Sequence, residues 1–204
     1  MHAIEILRDT LARSCPGLHK RRLQTLMGAV EAALHARSHT LSNLARALNG
    51  RTSVRQRVKC MDRLLGNAAL QRECADIYAG MARQILADCE QPVILVDWSD
   101  LKADRSVQLI RASLALHGRS LSLLEQVYGA KQAATPRTHT RFLRQLKAIV
   151  GERACPIIVT DAGFRAPWFA AVEKLGWHWL GRIRGRDLLR PADNPQARWA
   201  SCRS

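Results

Sequence analysis

The hydrophobic positions change period once along the chain. Up to about residue 90, apolar side chains recur every three or four residues, the spacing of helices. Ile4, Leu7 and Leu11 make a first stripe, closed by Cys15-Pro16-Gly17. Leu23, Leu26, Met27, Val30 and Leu34 make a second. Thr40 suits the N-cap of a short helix carrying Leu41, Leu44, Ala45 and Leu48, which Asn49-Gly50 breaks. Ser53 suits the cap of the next, whose inner face reads Val54, Val58, Met61 and Leu65 and whose stop is Gly66-Asn67. A last helix, from about Ala68 to Ala87, turns Leu70, Cys74, Ile77, Met81 and Ile85 inward.

After Gln91-Pro92 the pattern becomes that of strands. Val93–Asp97 reads as a central buried strand, since its aliphatic run shows no alternation. Gln108–Leu116 puts Ile110, Ala112, Leu114 and Leu116 on one face, and Ser120–Tyr128 returns after His117-Gly118-Arg119 as an antiparallel hairpin. A helix carrying Phe142, Leu146 and Ile149 follows Pro136, then a buried strand over Pro156–Thr160. A helix from about Ala166 to Leu175 and a strand over Trp177–Ile183 complete the set. Hairpin first and alternation afterwards predict a mixed sheet with flanking helices, an α/β fold. The expected organisation is a helical domain over 1–90, the sheet domain over 91–186 and an irregular tail over 187–204.

Composition adds charge to this picture. With 32 Lys+Arg against 17 Asp+Glu the formal net charge is +15, while 47% hydrophobic residues keep the chain in the globular class. Such a charge suits a polyanionic partner. No aliphatic run exceeds Val93–Val96, and Glu5 and Asp9 stand where a secretion signal would need apolar residues, so a membrane role is not expected. The six cysteines form no CxxC or CxC pair, and with the histidines they show no zinc spacing, which suits a reduced cytoplasmic protein.

The charge is unevenly placed. Residues 37–63 hold Arg37, Arg46, Arg51, Arg55, Arg57, Lys59 and Arg63 against Asp62, a net +6 that equals the excess of residues 1–90 as a whole. Arg51, Arg55 and Lys59 at i, i+4 and i+8 make a basic ridge on a helix–turn–helix-like segment, suited to DNA phosphates and a major groove. A solvated helix face is the bland alternative. Arg119 at the hairpin turn, and Arg182, Arg184 and Arg186 along the last strand, make a second candidate DNA surface.

Two aspartates stand out by position. Asp97 follows the strand Val93–Val96 and Asp161 follows Ile157–Thr160. Strand carboxyl ends collect ligand-binding groups in sheets flanked by helices. If the strands are adjacent and parallel the carboxylates converge, and they repel unless cations bridge them. Magnesium or manganese suits such oxygen ligands, and paired metals cleave phosphodiesters. For Asp161-Ala162-Gly163 alone, a turn-starting aspartate is the simpler reading. Asp100 and Asp104 are expected to be solvated, as is Glu173, a replacement acid only in a compact-nuclease reading. Trp98, Trp168, Trp177 and Trp179 read as core, with base stacking the less common role.

The segments Val93-Ile-Leu-Val-Asp-Trp-Ser-Asp100, Leu114-Ala-Leu-His-Gly-Arg-Ser120, Ile158-Val-Thr-Asp-Ala-Gly-Phe164 and Val172-Glu-Lys-Leu-Gly-Trp-His-Trp-Leu180 resemble the cut-and-paste transposases of bacterial insertion sequences. So do Cys15-Pro-Gly-Leu-His19 and Asp62-Arg-Leu-Leu-Gly-Asn67. The similarity is to the insertion-sequence-four group, particularly the transposases of the elements flanking tetracycline-resistance transposon ten, and covers essentially residues 1–186. The resemblance implies a ribonuclease-H-like catalytic fold behind a DNA-binding domain. It also implies a triad of two aspartates and a glutamate holding two divalent metals, with Asp97 and Asp161 matching the aspartates.

The family's glutamate lies in a Tyr-x-x-Arg-x-x-x-Glu motif that does not occur in the 204 residues. The expectation is therefore an N-terminal portion of a transposase with an incomplete ribonuclease-H-like sheet. It would bind DNA at element ends and targets, bind Mg2+ or Mn2+ weakly, and lack activity alone. The alternative is a non-catalytic DNA-binding fragment that competes with full-length transposase. Either would work in the bacterial cytoplasm, beside the nucleoid.

Overall fold

The structure, a computed structural model, describes residues 3–86, 89–184, 188–191 and 193–201. The chain divides into two compact units, Met1–Met81 and Ala82–Ser204. The last helix of the helical stretch, α5 (Ala68–Leu86), runs through the division. Ala87, its expected end, lies outside the described residues.

In the first unit α1 (Ala3–Ser14), α2 (Lys20–His35), α3 (Leu41–Ala47) and α4 (Val54–Leu65) precede α5. Leu11, Cys15, Leu23 and Met27 are its buried centre, with Ile4, Leu7, Leu26, Val30, Ile77 and Met81 packed round them. Gly80 lets α5 come close here, because a Cβ on it would lie 2.7 Å from Cys15 Sγ. Thr40 and Ser53 cap α3 and α4 as their sequence positions predict, and Ser53 forms a reciprocal capping box with Gln56.

The α2 stripe packs inward as read except at its last position, and the α4 stripe is rotated. Leu34, Val54 and Leu65 are exposed, while Leu64 is buried beside Met61. The basic ridge also shifts. Arg51 precedes the Ser53 cap and is not on the helix, so the i, i+4, i+8 run on α4 is Arg55, Lys59 and Arg63. Arg57 turns inward: its Nη1 donates to Leu48 O (2.7 Å) and Arg46 O (3.3 Å), closing the carboxyl end of α3.

The second unit holds a five-stranded sheet. Its strands are β1 (Val93–Asp100), β2 (Val107–Leu116), β3 (Arg119–Gly129), β4 (Ile157–Thr160) and β5 (His178–Gly181), in spatial order β3-β2-β1-β4-β5. The first three are antiparallel, and β4 and β5 extend the sheet in parallel from β1. Helices α6 (Pro136–Val150) and α7 (Ala166–Glu173) supply the crossovers. Such a mixed sheet is consistent with a ribonuclease-H-like domain. The tail carries a short ladder of β6 (Leu188–Leu189) with β7 (Ala200–Ser201), where an irregular segment was expected.

Burial is one-sided on β1. Ile94 and Val96 are buried on the face shared with Ile158, whereas Val93 and Leu95 are 38% and 39% exposed. An unbroken aliphatic run implies two covered faces; here the alternate residues keep more than a third of their surface open. A bulge between Ala112 and Ser113 places Leu123 and Leu124, consecutive on β3, both in the core. Leu116, expected inward, is exposed beside the hairpin turn.

Four rings fill the space between sheet and helices: Trp98, His139, Phe164 and Trp168. His139 lies 5.5 Å from Phe164 and 5.0 Å from Trp168, centroid to centroid, and its Nε2 accepts from Trp98 Nε1 at 3.4 Å. Burial pushes the His139 imidazole down to about 4. Trp177 is also buried, while Trp179 stacks on Phe169 at 4.2 Å and stays partly exposed. Gly181 is forced there, since a Cβ would meet that Phe169 ring at 2.5 Å.

Two predictions come from this packing. Arg57→Ala should weaken the α3–α4 unit by about 1.5–3 kcal/mol, the range for hydrogen bonds to a charged group. Faster native-state hydrogen exchange of the α3 amides is the readout, and unchanged exchange would refute the latch. His139 binds fewer protons folded than unfolded, so its contribution is present above pH ~6.5 and falls away down to pH ~4. Urea titrations at several pH values should show about 3 kcal/mol of that loss missing in His139→Gln.

Candidate active site

The parallel pairing of β1 with β4 sets the site. Val96 is in register with Thr160, both buried side chains on one face. The next residue of each chain segment is an exposed aspartate, on neighbouring strands about 4.8 Å apart. Asp161 directly follows β4, whereas Asp97 lies inside β1, which its pairing with β2 carries on to Asp100 instead of ending at Val96 as the sequence suggests. The sequence-predicted pair is thus brought together.

The flanking strands extend this into a charged row. Asp97 is directly opposite Arg111 on β2, and Arg111 opposite Glu125 on β3. Thr160 pairs with Gly181, and Arg182 N–H donates to Thr160 O at 3.1 Å, so Arg182 follows β5 beside Asp161. Across the sheet the order is Glu125, Arg111, Asp97, Asp161, Arg182. Arg111 Nε pairs with Glu125 Oε1 at 2.5 Å, and Ser122 Oγ donates to the same oxygen at 3.2 Å. Arg111 and Glu125 were missed in the sequence because each reads as a solvent-side residue of a half-buried hairpin. Their signal was two opposite charges at central positions of paired apolar strands.

Asp161 also performs the turn role. Its Oδ1 accepts the Gly163 N–H at 2.9 Å, and a Cβ on Gly163 would press to 3.0 Å from that oxygen. The glycine in Asp161-Ala162-Gly163 therefore makes room for the carboxylate it orients.

The other acids stay apart from the pair. Glu173 Oε1 accepts from Trp179 Nε1 at 2.9 Å, on α7, which packs on β5. Asp100 accepts from Gln108 and pairs with Arg105 at 3.3 Å. The Asp104 carboxyl sits below its usual range, held by the Ser106 backbone N–H. Among the described residues no group of three His, Cys, Asp or Glu side chains converges as a metal cage.

The expected DNA contacts fall in separate places. Arg51, Arg55, Lys59 and Arg63 are exposed on the first unit, while Arg57 is committed to α3. In the second unit Arg119 is exposed at the hairpin turn after Gly118, whose φ is +71°. Arg184 is exposed beyond Arg182, and Arg186 lies outside the described residues. No helix among the described residues is long and apolar enough to cross a membrane.

No curated protein and no solved structure matches the chain significantly. Residues 88–196, just over half of its length and spanning the charged row, match the model of the transposase DDE domain family. The chain belongs to the DDE transposase family.

Proposed function

We propose that this chain serves cut-and-paste DNA transposition as a metal-dependent transposase of the insertion-sequence-four group, with Asp97 and Asp161 as two of its three acids. The observation that carries the reading is the pair of aspartates on adjacent parallel strands, each one residue beyond the Val96–Thr160 pairing. Their chemistry fits the expected cation: carboxylate oxygens are hard donors, suited to Mg2+ or Mn2+. A bound cation of this kind activates water and stabilises the leaving oxygen in phosphodiester cleavage.

The chain's own groups supply orientation and charge. Gly163 holds Asp161 Oδ1 in its turn and leaves Oδ2 outside it. Arg111, steadied by Glu125, and Arg182 stand on the two sides of the acid pair, where guanidinium groups suit DNA phosphates. On the first unit Arg51, Arg55, Lys59 and Arg63 form the arm that grips duplex DNA at element ends. Glu125 is tied to Arg111 and Glu173 to Trp179, so neither completes the triad. Strand cleavage therefore requires a further acid.

Mn2+ titration by calorimetry should give weak binding that Asp97→Asn or Asp161→Asn removes; equal binding by all three proteins would refute the assignment. Without metal the same substitutions should raise stability by about 0.2–1 kcal/mol, the scale of cross-strand charge pairs, since the two carboxylates stand one residue beyond the last paired positions of neighbouring strands. Supplied with Mg2+ and DNA, the purified chain should retain duplex at low salt without cutting it. Robust cleavage would show that a third acid is present after all.

A further inference from the structure

The helical unit contains a cleft with a one-sided hydrogen-bonding character. It has a volume of about 310 Å³ and is walled by α2 and α4, with Arg21, Arg22, Gln56, Arg63 and Asn67 as its principal polar lining and Cys60 on its wall. Each side-chain amide here has its oxygen already occupied. Gln56 Oε1 accepts the Ser53 N–H at 3.2 Å, and Asn67 Oδ1 accepts the Leu70 N–H at 3.0 Å. Because backbone N–H groups are the donors, those oxygens are fixed and both NH2 groups are left as donors.

The arginines divide in the same sense. Arg22 is paired with Glu73, and that hydrogen bond holds the Glu73 carboxyl below its usual range. The side chains of Arg21 and Arg63 have no acidic or hydrogen-bonding partner among the described residues. The cleft therefore offers two guanidinium groups and two amide NH2 groups. No acid is among its lining residues, and Glu73, which reaches Arg22, is already paired with it. Arg21 also stands in the first turn of α2, which contains no acid. A cation there costs about 0.3–1 kcal/mol against the helix dipole, a cost a folding role does not explain.

We infer that this cleft is a phosphodiester clamp, in which Arg21 and Arg63 bracket a backbone phosphate of duplex DNA while Gln56 and Asn67 donate to its oxygens. Guanidinium forks and amide donors match phosphate oxygens, whereas a neutral or cationic ligand would find few acceptors here. The inference rests on the proposed DNA-binding role of this unit and adds α2 to the arm formed by α4. Gln56 does double duty, with its oxygen capping α4 and its nitrogen facing the ligand.

The test uses the full chain and a labelled duplex, with affinity followed against salt by fluorescence anisotropy. Arg21→Gln/Arg63→Gln should reduce the slope of log affinity against log salt by about 1, the value for the one phosphate that the two arginines share. Arg21→Lys/Arg63→Lys should keep most of it, and Arg13→Gln/Arg72→Gln, outside the cleft, should leave it unchanged. A second readout is independent of these variants: duplex should protect the exposed Cys60 from alkylation while the exposed Cys89 stays reactive.

If the wild-type chain fails to retain duplex at low salt, the DNA-binding reading falls and the clamp with it. If it retains duplex while the cleft variant keeps the wild-type slope and Cys60 stays unprotected, the clamp alone is refuted. Protection of Cys60 by inorganic phosphate at the concentration that duplex requires would reassign the cleft to a free anion and overturn the backbone assignment.

Discussion

Two carboxylates side by side on adjacent parallel strands, just past the point where their pairing stops, are an electrostatic liability that the surrounding sheet is arranged to contain. The Val96–Thr160 register places Asp97 and Asp161 as neighbours, where like charges repel. Arginines on both sides offset part of it, Arg111 from β2 and Arg182 after β5. Arg111 is itself held by Glu125, and Asp161 is oriented by the Gly163 N–H. Beneath, Trp98, His139, Phe164 and Trp168 pack the chain segments that follow both aspartates. A neutral imidazole fits that layer because a charged one would lose its hydration there.

The helical unit shows a comparable tension at its helix termini. The first turns of α2 and α4 contain no acid, and they carry Lys20, Arg21 and Arg22 in one case and Arg55 and Arg57 in the other. Helix dipoles disfavour cations at these ends. Arg57 recovers its cost locally, by bonding the last carbonyls of α3. Arg55 and Arg21 make no such bond among the described residues, which leaves both free for the polyanion of the proposed function.

Element order was legible because the hydrophobic period changes from helical to strand-like near residue 90 and because Thr40, Ser53 and Gly66 mark helix ends by local chemistry. Faces were less legible. Leu34, Val54, Leu65 and Leu116 fit apolar stripes yet lie in solvent, since periodicity fixes spacing and says little about which neighbour arrives. The bulge that buries both Leu123 and Leu124 left no trace in the alternation. Arg51 and Arg57 were read as equivalent members of one basic run, although one precedes the helix and the other faces inward.

By itself the sequence determined the two aspartates, the strands they follow and the concentration of positive charge, because each is a property of local spacing and composition. It did not determine that β1 and β4 are neighbours in parallel, since a strand's partner is chosen by long-range packing. That choice made neighbours of the two aspartates, while the pairings of β1 with β2 and of β4 with β5 put Arg111 and Arg182 beside them and the packing of α7 on β5 sent Glu173 to Trp179. The same holds for the cleft between α2 and α4. Its donors come from residues more than thirty positions apart, and only tertiary contact shows that their acceptor atoms are already used.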